Sequence, residues 1–164
     1  MQAVYDNFSP RMSFPAAPSF ILTQGHSRPT VRGTWDLVRN ILVEGELSRW
    51  QKELVFVAIS RDRNCAYCEA AHIACCRMLG VSAENMISDT SLIPDVTLRE
   101  IIGFGRKCAA APQTITARDY DRLGECGVTR LQILELIGMS GLAVYANIMA
   151  DATAVEPDEM FSTL

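Results

Sequence analysis

Ahead of three apolar stretches of this chain a Ser or Thr stands three residues before a Gln or Glu: Ser48 and Gln51, Thr97 and Glu100, Thr129 and Gln132. This spacing is a capping box, in which the two side chains satisfy the first free N–H groups of a helix. No run alternates polar and apolar residues as a half-buried strand does. The chain is therefore expected to be all-α. Periodicity and caps predict helices over 35–43, 48–61, 64–80, 82–87, 97–111, 116–127 and 129–150, with Gly45 and Pro94 as breaks and Asn64 as the cap of the third. Residues 1–32 carry Pro10, Pro15 and Pro18 and no clear period, and read as an irregular N-terminal arm, packed on a neighbour. Residues 33–164 read as a single helical domain.

The last long helix is apolar on every side. Leu131, Leu134, Ile137, Leu142, Tyr145 and Ile148 surround its axis instead of forming one stripe. Such a helix is buried, either at the centre of its own domain or by a second subunit. A homo-oligomer is one expectation and a central core helix the other.

Composition limits the partners. A net charge of −4, with Lys and Arg scattered, gives neither nucleic acid nor an anionic membrane a basic surface to bind. The most apolar stretch, 141–150, is too short to cross a bilayer. The N-terminus has no continuous apolar segment of the secretory kind, so a cytoplasmic location is expected.

In a reducing compartment a Cys-x-x-Cys pair is catalytic or metal-binding more often than structural. This chain has one, in Cys65-Ala66-Tyr67-Cys68, with His72 four residues further and Glu53 twelve residues before Cys65. On a helix capped by Asn64, residues spaced three and four apart share a face, so Cys65, Cys68 and His72 line up. The positive end of that helix favours a thiolate at Cys65. His72, one turn past Cys68, can take a proton from that thiol. Glu53 lies at the margin of the preceding helix's apolar stripe, where it can turn inward and orient the imidazole. The rival reading is a zinc site built from Cys65, Cys68, His72 and Glu53, but structural zinc commonly uses two separated pairs and no second Cys-x-x-Cys is present. Covalent haem attachment needs His directly after the second Cys, where Glu69 stands. Cys75, Cys76, Cys108 and Cys126 read as small buried hydrophobes.

The stretch from Leu47 to Ser82, with Glu53, eleven residues, Cys-x-x-Cys, three residues and His72, resembles the alkylhydroperoxidase D-like branch of the carboxymuconolactone decarboxylase family. Tyr67 inside the pair makes it most similar to the peroxidase-related members. The resemblance implies a compact multi-helix fold with the redox pair at the start of a central helix, and a homo-oligomer. It implies a thiol-dependent peroxidase that reduces organic hydroperoxides through a Cys65–Cys68 disulfide. Cys68 would be the peroxidatic thiol, Cys65 the resolving one, and Glu53 with His72 the proton relay. An external dithiol or disulfide reductase would supply electrons, with no metal and no organic cofactor. The family prototype has His where this chain has Tyr67, which removes one acid–base group. A thiol–disulfide reductase or redox sensor would use the same residues without peroxide turnover. A non-redox decarboxylase-like or zinc-binding protein is the remaining alternative.

Overall fold

A computed structural model describes residues 2–83 and 90–164. The described residues contain helices and connecting turns and no strand. The short helix expected over 82–87 falls mainly outside them.

The centre of the molecule is α4 (Arg49–Asp62), in which every residue from Lys52 to Ser60 is buried. It packs against α5 (Ala66–Met78), α6 (Val96–Ala110) and α8 (Arg130–Ala152). The central helix is thus the one carrying Glu53, and the cysteine helix α5 lies alongside it. α4 begins where expected: the Gln51 side chain accepts from the Ser48 N–H (3.3 Å) and hydroxyl (2.6 Å). The same device opens α7 (Ala117–Glu125) through Thr116 and Asp119, and α8 through Thr129 and Gln132. The cap of α6 is Asp95, not Thr97; its carboxylate accepts the Leu98 N–H at 3.1 Å, because Asp caps as well as Thr and here stands a residue ahead of the first helical turn.

Two expectations change at the N-terminus. Residues 1–32 are not an irregular arm: α1 (Gln2–Met12), α2 (Ser19–Thr23) and the start of α3 (Arg28–Leu37) lie within them. Phe8, Met12, Phe14 and Ile21 belong to the chain's own core, with Phe8 packed on Trp35 at 5.2 Å between ring centroids. The prolines misled the reading because Pro10 lies within the last turn of α1, Pro18 is the N-cap of α2, and Pro15 falls in the turn between them, so they bound these helices and do not abolish them. The helix expected over 35–43 is the end of α3 followed by a π-helical turn, Val38–Val43.

α8 has the length and apolar character to cross a membrane, although half of its most apolar window is buried inside the fold. Leu136, Met139, Leu142, Ala143 and Ala146 enter the core, while Leu131 (59%), Leu134 (67%) and Ile148 (52%) stay exposed. One face of the helix serves as a core helix and the other is left apolar and open.

A buried cation ties these helices at one end. Lys52 is fully buried, donates to the Glu44 carbonyl at 2.6 Å, and pairs with Glu135 of α8 at 3.0 Å. Despite partial desolvation, the N–H groups of Glu46 and Leu47 and the Lys52 ammonium together hold the Glu135 carboxyl below its usual range. At the other face of α4, α6 comes so near that a Cβ on Gly105 would lie 2.5 Å from Val55 Cγ1. Val55 is fully buried and β-branched, so it has no room to retreat. Gly105→Ala is expected to destabilise the fold by about 1–3 kcal/mol, measured by urea denaturation; a midpoint equal to that of the unaltered protein would show that α4 and α6 pack less closely than described.

Candidate active site

The pair sits at a junction between two helices. α4 ends with Asn64 in the left-handed region (φ +57°) and the Cys65 N–H bonded to the Ser60 carbonyl at 2.9 Å, a closure of the Schellman type. Cys65, not Asn64, is therefore the N-cap of α5. Asn64 reads as a cap from sequence, but it ends the preceding helix, since Asn tolerates a positive φ better than most residues. The register shifts by one residue and the face is kept: Cys68 and His72 follow at three and seven residues.

Both thiols are buried, Cys65 fully and Cys68 nearly so. They are hydrogen-bonded to each other, with opposite consequences. The Cys68 thiol donates to the Cys65 sulfur, and this, more than burial raises it, holds Cys65 below the ordinary thiol range. The same bond, then burial, pushes Cys68 far above it. One proton lies between the two sulfurs, and ionisation falls on Cys65 before Cys68. α8 closes the back of the pair. The Asn147 carbonyl lies 4.0 Å from Cys65 Sγ, and its side-chain amide favours the Cys68 thiolate. Asp151, one turn on, opposes the ionisation of Cys65. Asn147 Nδ2 donates to the buried Ser60 hydroxyl at 3.0 Å, whereas its Oδ1 has no hydrogen-bond partner among the described residues.

Glu53 and His72 meet as expected. His72 Nδ1 lies 2.5 Å from Glu53 Oε2, both buried, and the imidazole stacks on Phe56 with centroids 3.4 Å apart and planes 16° off parallel. The carboxylate fixes the ring and leaves Nε2 for chemistry. Glu53 is held from its other oxygen by Arg49 Nε at 3.1 Å, one helical turn earlier. Cys68, His72 and Cys75 open together onto a narrow apolar cavity of about 40 Å³, walled by aromatic and aliphatic side chains such as Phe56, Leu42 and Leu142. Cys65 does not line it. Of the four expected residues, Glu53 thus touches His72, Cys65 touches Cys68, and Cys68 shares the cavity with His72.

A metal would find donors here, though not the set expected. Glu53, His72 and Cys75 place one donor atom each within 4.8 Å of one another. A dication fits them poorly, because Arg49 already neutralises Glu53 and lies against Cys75, so a fixed positive charge occupies the site. Burial, and then Glu53 itself, raise Cys75 well above the usual thiol range and keep it protonated. Arg49, Cys75, Asn147 and Asp151 were missed from sequence. Arg49 had a signal, since it stands four residues before Glu53 on one helix face. Nothing local could have linked Asn147 or Asp151 to a pair more than eighty positions away.

Residues 29–88 match the model of the carboxymuconolactone decarboxylase family. No curated protein matches the chain in sequence. Among solved structures, a peroxidase-related protein from Silicibacter sp. TM1040 superposes with a TM-score of 0.86 at 21% identity, over 98% of this chain and 85% of its own. The alkylhydroperoxidase AhpD core protein from Ralstonia eutropha JMP134 gives 0.83 at 20% identity, over 98% and 88%. The debrominase Bmp8, solved with 2,3,4-tribromopyrrole, gives 0.82 at 13% identity, over 99% and 87%. The fold is the AhpD-like all-α fold, and within it the same architecture serves proteins described as peroxidase-related and as a debrominase.

The shared proton has a measurable sign. Because Cys65 titrates below the ordinary thiol range, its thiolate should persist as pH falls past the point where a free thiol is protonated, and be lost only below its own lowered pKa. Subtracting the ultraviolet thiolate titration of Cys65→Ala from that of the reduced protein isolates this transition. Cys68→Ala should move it upward by removing the donor; an unmoved transition would show that the two sulfurs are not hydrogen-bonded.

Proposed function

We propose that the protein is a thiol-dependent hydroperoxide reductase acting through a Cys65–Cys68 disulfide. The observation that carries this reading is the shared apolar cavity, onto which a buried thiol and a carboxylate-oriented imidazole both open, with a second thiol bonded behind the first. The carboxymuconolactone decarboxylase match and the peroxidase-related neighbours support it.

Cys68 is the attacking thiol because it is the one a substrate in the cavity can reach. Its high thiol pKa calls for a base, and His72 one turn away takes the proton on Nε2 while Glu53 stabilises the resulting imidazolium. The sulfur attacks the outer peroxide oxygen; the O–O bond breaks, the alcohol leaves with the proton from His72, and Cys68 becomes a sulfenic acid. Cys65 then attacks the Cys68 sulfur and expels hydroxide, which takes up the Cys65 thiol proton and leaves as water. Two electrons have passed from the thiol pair to the peroxide. An external dithiol restores both thiols by exchange and is itself oxidised to a disulfide. The lowered pKa of Cys65 suits the resolving step, which needs a ready nucleophile and so limits over-oxidation of the sulfenic acid.

The setting follows from the chemistry. A cytoplasmic dithiol pool or disulfide reductase is the electron donor, and the exposed apolar face of α8 is covered by a second copy of the chain. Leu134→Asp is expected to reduce the mass measured by light scattering, and a monomer before substitution would end that part of the reading.

Stopped-flow mixing of the reduced protein with cumene hydroperoxide should give a Cys65–Cys68 disulfide by mass mapping, with turnover when dithiothreitol is present. Cys68→Ser should abolish turnover, and His72→Ala should lower it by roughly 10²–10⁴-fold. A disulfide that forms without turnover would make the protein a redox sensor or reductase. Release of bromide from 2,3,4-tribromopyrrole without peroxide consumption would move it to the debrominase chemistry of Bmp8.

A further inference from the structure

Five of the residues around the cavity come from the N-terminal segment: Phe8, Met12, Phe14, Pro18 and Phe20. This segment roofs the cavity that the rest of the domain walls. The space beneath it is small. A water needs ~10–15 Å³ of such volume, so about 40 Å³ holds roughly three waters and no arylalkyl hydroperoxide. Any organic substrate must lift the roof.

The roof is moored through the redox motif itself. Tyr67, between the two cysteines, accepts the Phe20 N–H at 3.1 Å and donates its hydroxyl to Asp158 at 2.7 Å. Asp158 also accepts the Ser19 N–H at 3.0 Å and the Ser19 hydroxyl at 2.5 Å. The first free N–H groups of α2 thus end on one phenol and one carboxylate. The Tyr67 ring stacks on Phe20 and meets Phe161 edge-on, and Phe161 in turn packs on Phe14. Burial, with Asp158 next, pushes the phenol above its ordinary range, so it stays a donor at every working pH. Elsewhere the segment is held by Arg49, which donates to the Arg11 carbonyl at 3.1 Å and to Met12 Sδ at 3.6 Å, by the exposed Arg11–Glu44 pair at 3.5 Å, and by the Thr34 hydroxyl, which donates to Gln24.

We propose that Tyr67 is a specificity-determining residue: with Asp158 it latches the N-terminal segment as a lid over the cavity, and release of that latch admits uncharged aryl or alkyl hydroperoxides too large for the closed space. The proposal rests on the hydroperoxide reading for the identity of the substrate, while the latch itself is independent of it. It also gives the tyrosine inside Cys-x-x-Cys a task different from acid–base chemistry. Small peroxides fit under the closed lid, and bulky ones wait for it to open.

The test uses Tyr67→Phe, which keeps the ring and removes the hydroxyl, and Asp158→Ala, which leaves Tyr67 intact. Amide hydrogen exchange over residues 14–26 should quicken about tenfold in both variants, with α4 and α8 protected as before. The ratio of the oxidation rate constants for cumene hydroperoxide and hydrogen peroxide should rise in both. Exchange over 14–26 unchanged from the unaltered protein would overturn the latch. Faster exchange with an unchanged ratio would overturn its role in specificity. If no peroxide oxidises the thiols, the hydroperoxide reading fails, and the exchange measurement still decides whether the latch exists.

Discussion

A carboxylate without solvent is the constraint around which this molecule is arranged. Glu53 is fully buried in the central helix. An uncompensated charge there would cost several kcal/mol. It is balanced on one oxygen by Arg49 from its own helix and on the other by His72 from the neighbouring one. The second contact fixes how α5 lies on α4. It therefore also fixes where Cys68 points, since Cys68 and His72 are one turn apart on α5. The Phe56 ring beneath the imidazole removes its remaining freedom. Helix packing and site geometry are here one arrangement, and a change that relaxed the ion pair would loosen both.

The thiol pair is organised by a different principle. Two sulfurs at the N-terminal turn of α5 share one hydrogen bond, and the bond from Cys68 makes Cys65 the easier of the two to ionise. Reach favours the other sulfur, because Cys68 alone faces the cavity. Sequence reasoning met the same conflict, with the helix dipole pointing to Cys65 and the family pattern to Cys68. The structure gives these preferences to separate properties: easier ionisation to Cys65 and access to Cys68. A peroxidatic cycle uses both, in sequence.

The helices and their caps were legible because capping is local. Ser48, Thr116 and Thr129 needed only the next few residues to declare themselves, and the structure places a helix start after each. The boundary errors were local too: Asp95 competed with Thr97, and Asn64 could end one helix or begin another. The N-terminal segment was misread for a tertiary reason. Its helices are short and proline-interrupted, and what orders them is apolar burial against Trp35 and Phe161, both distant in sequence. Glu53 and His72 could be paired from helical geometry because consecutive helices carry them. Asn147, Asp151 and Asp158 could not, because each acts on the motif across more than eighty positions of chain.

Of that last group, Asn147 and Asp151 belong to the thiols and Asp158 to the roof of the cavity. The relay of Glu53 and His72 is built from the two packed helices α4 and α5 and is held by buried ionic contacts. The roof of the cavity is built from the N-terminal segment and held at its edge by hydrogen bonds to Tyr67 and Asp158. The first assembly is costly to alter, since any change strands a buried charge. The second changes with a few surface-proximal residues and resets what enters without touching the thiols. A TM-score above 0.8 at 13–21% identity fixes the scaffold alone; under the proposed latch, chemistry set deep in this bundle and admission set at its rim would vary separately.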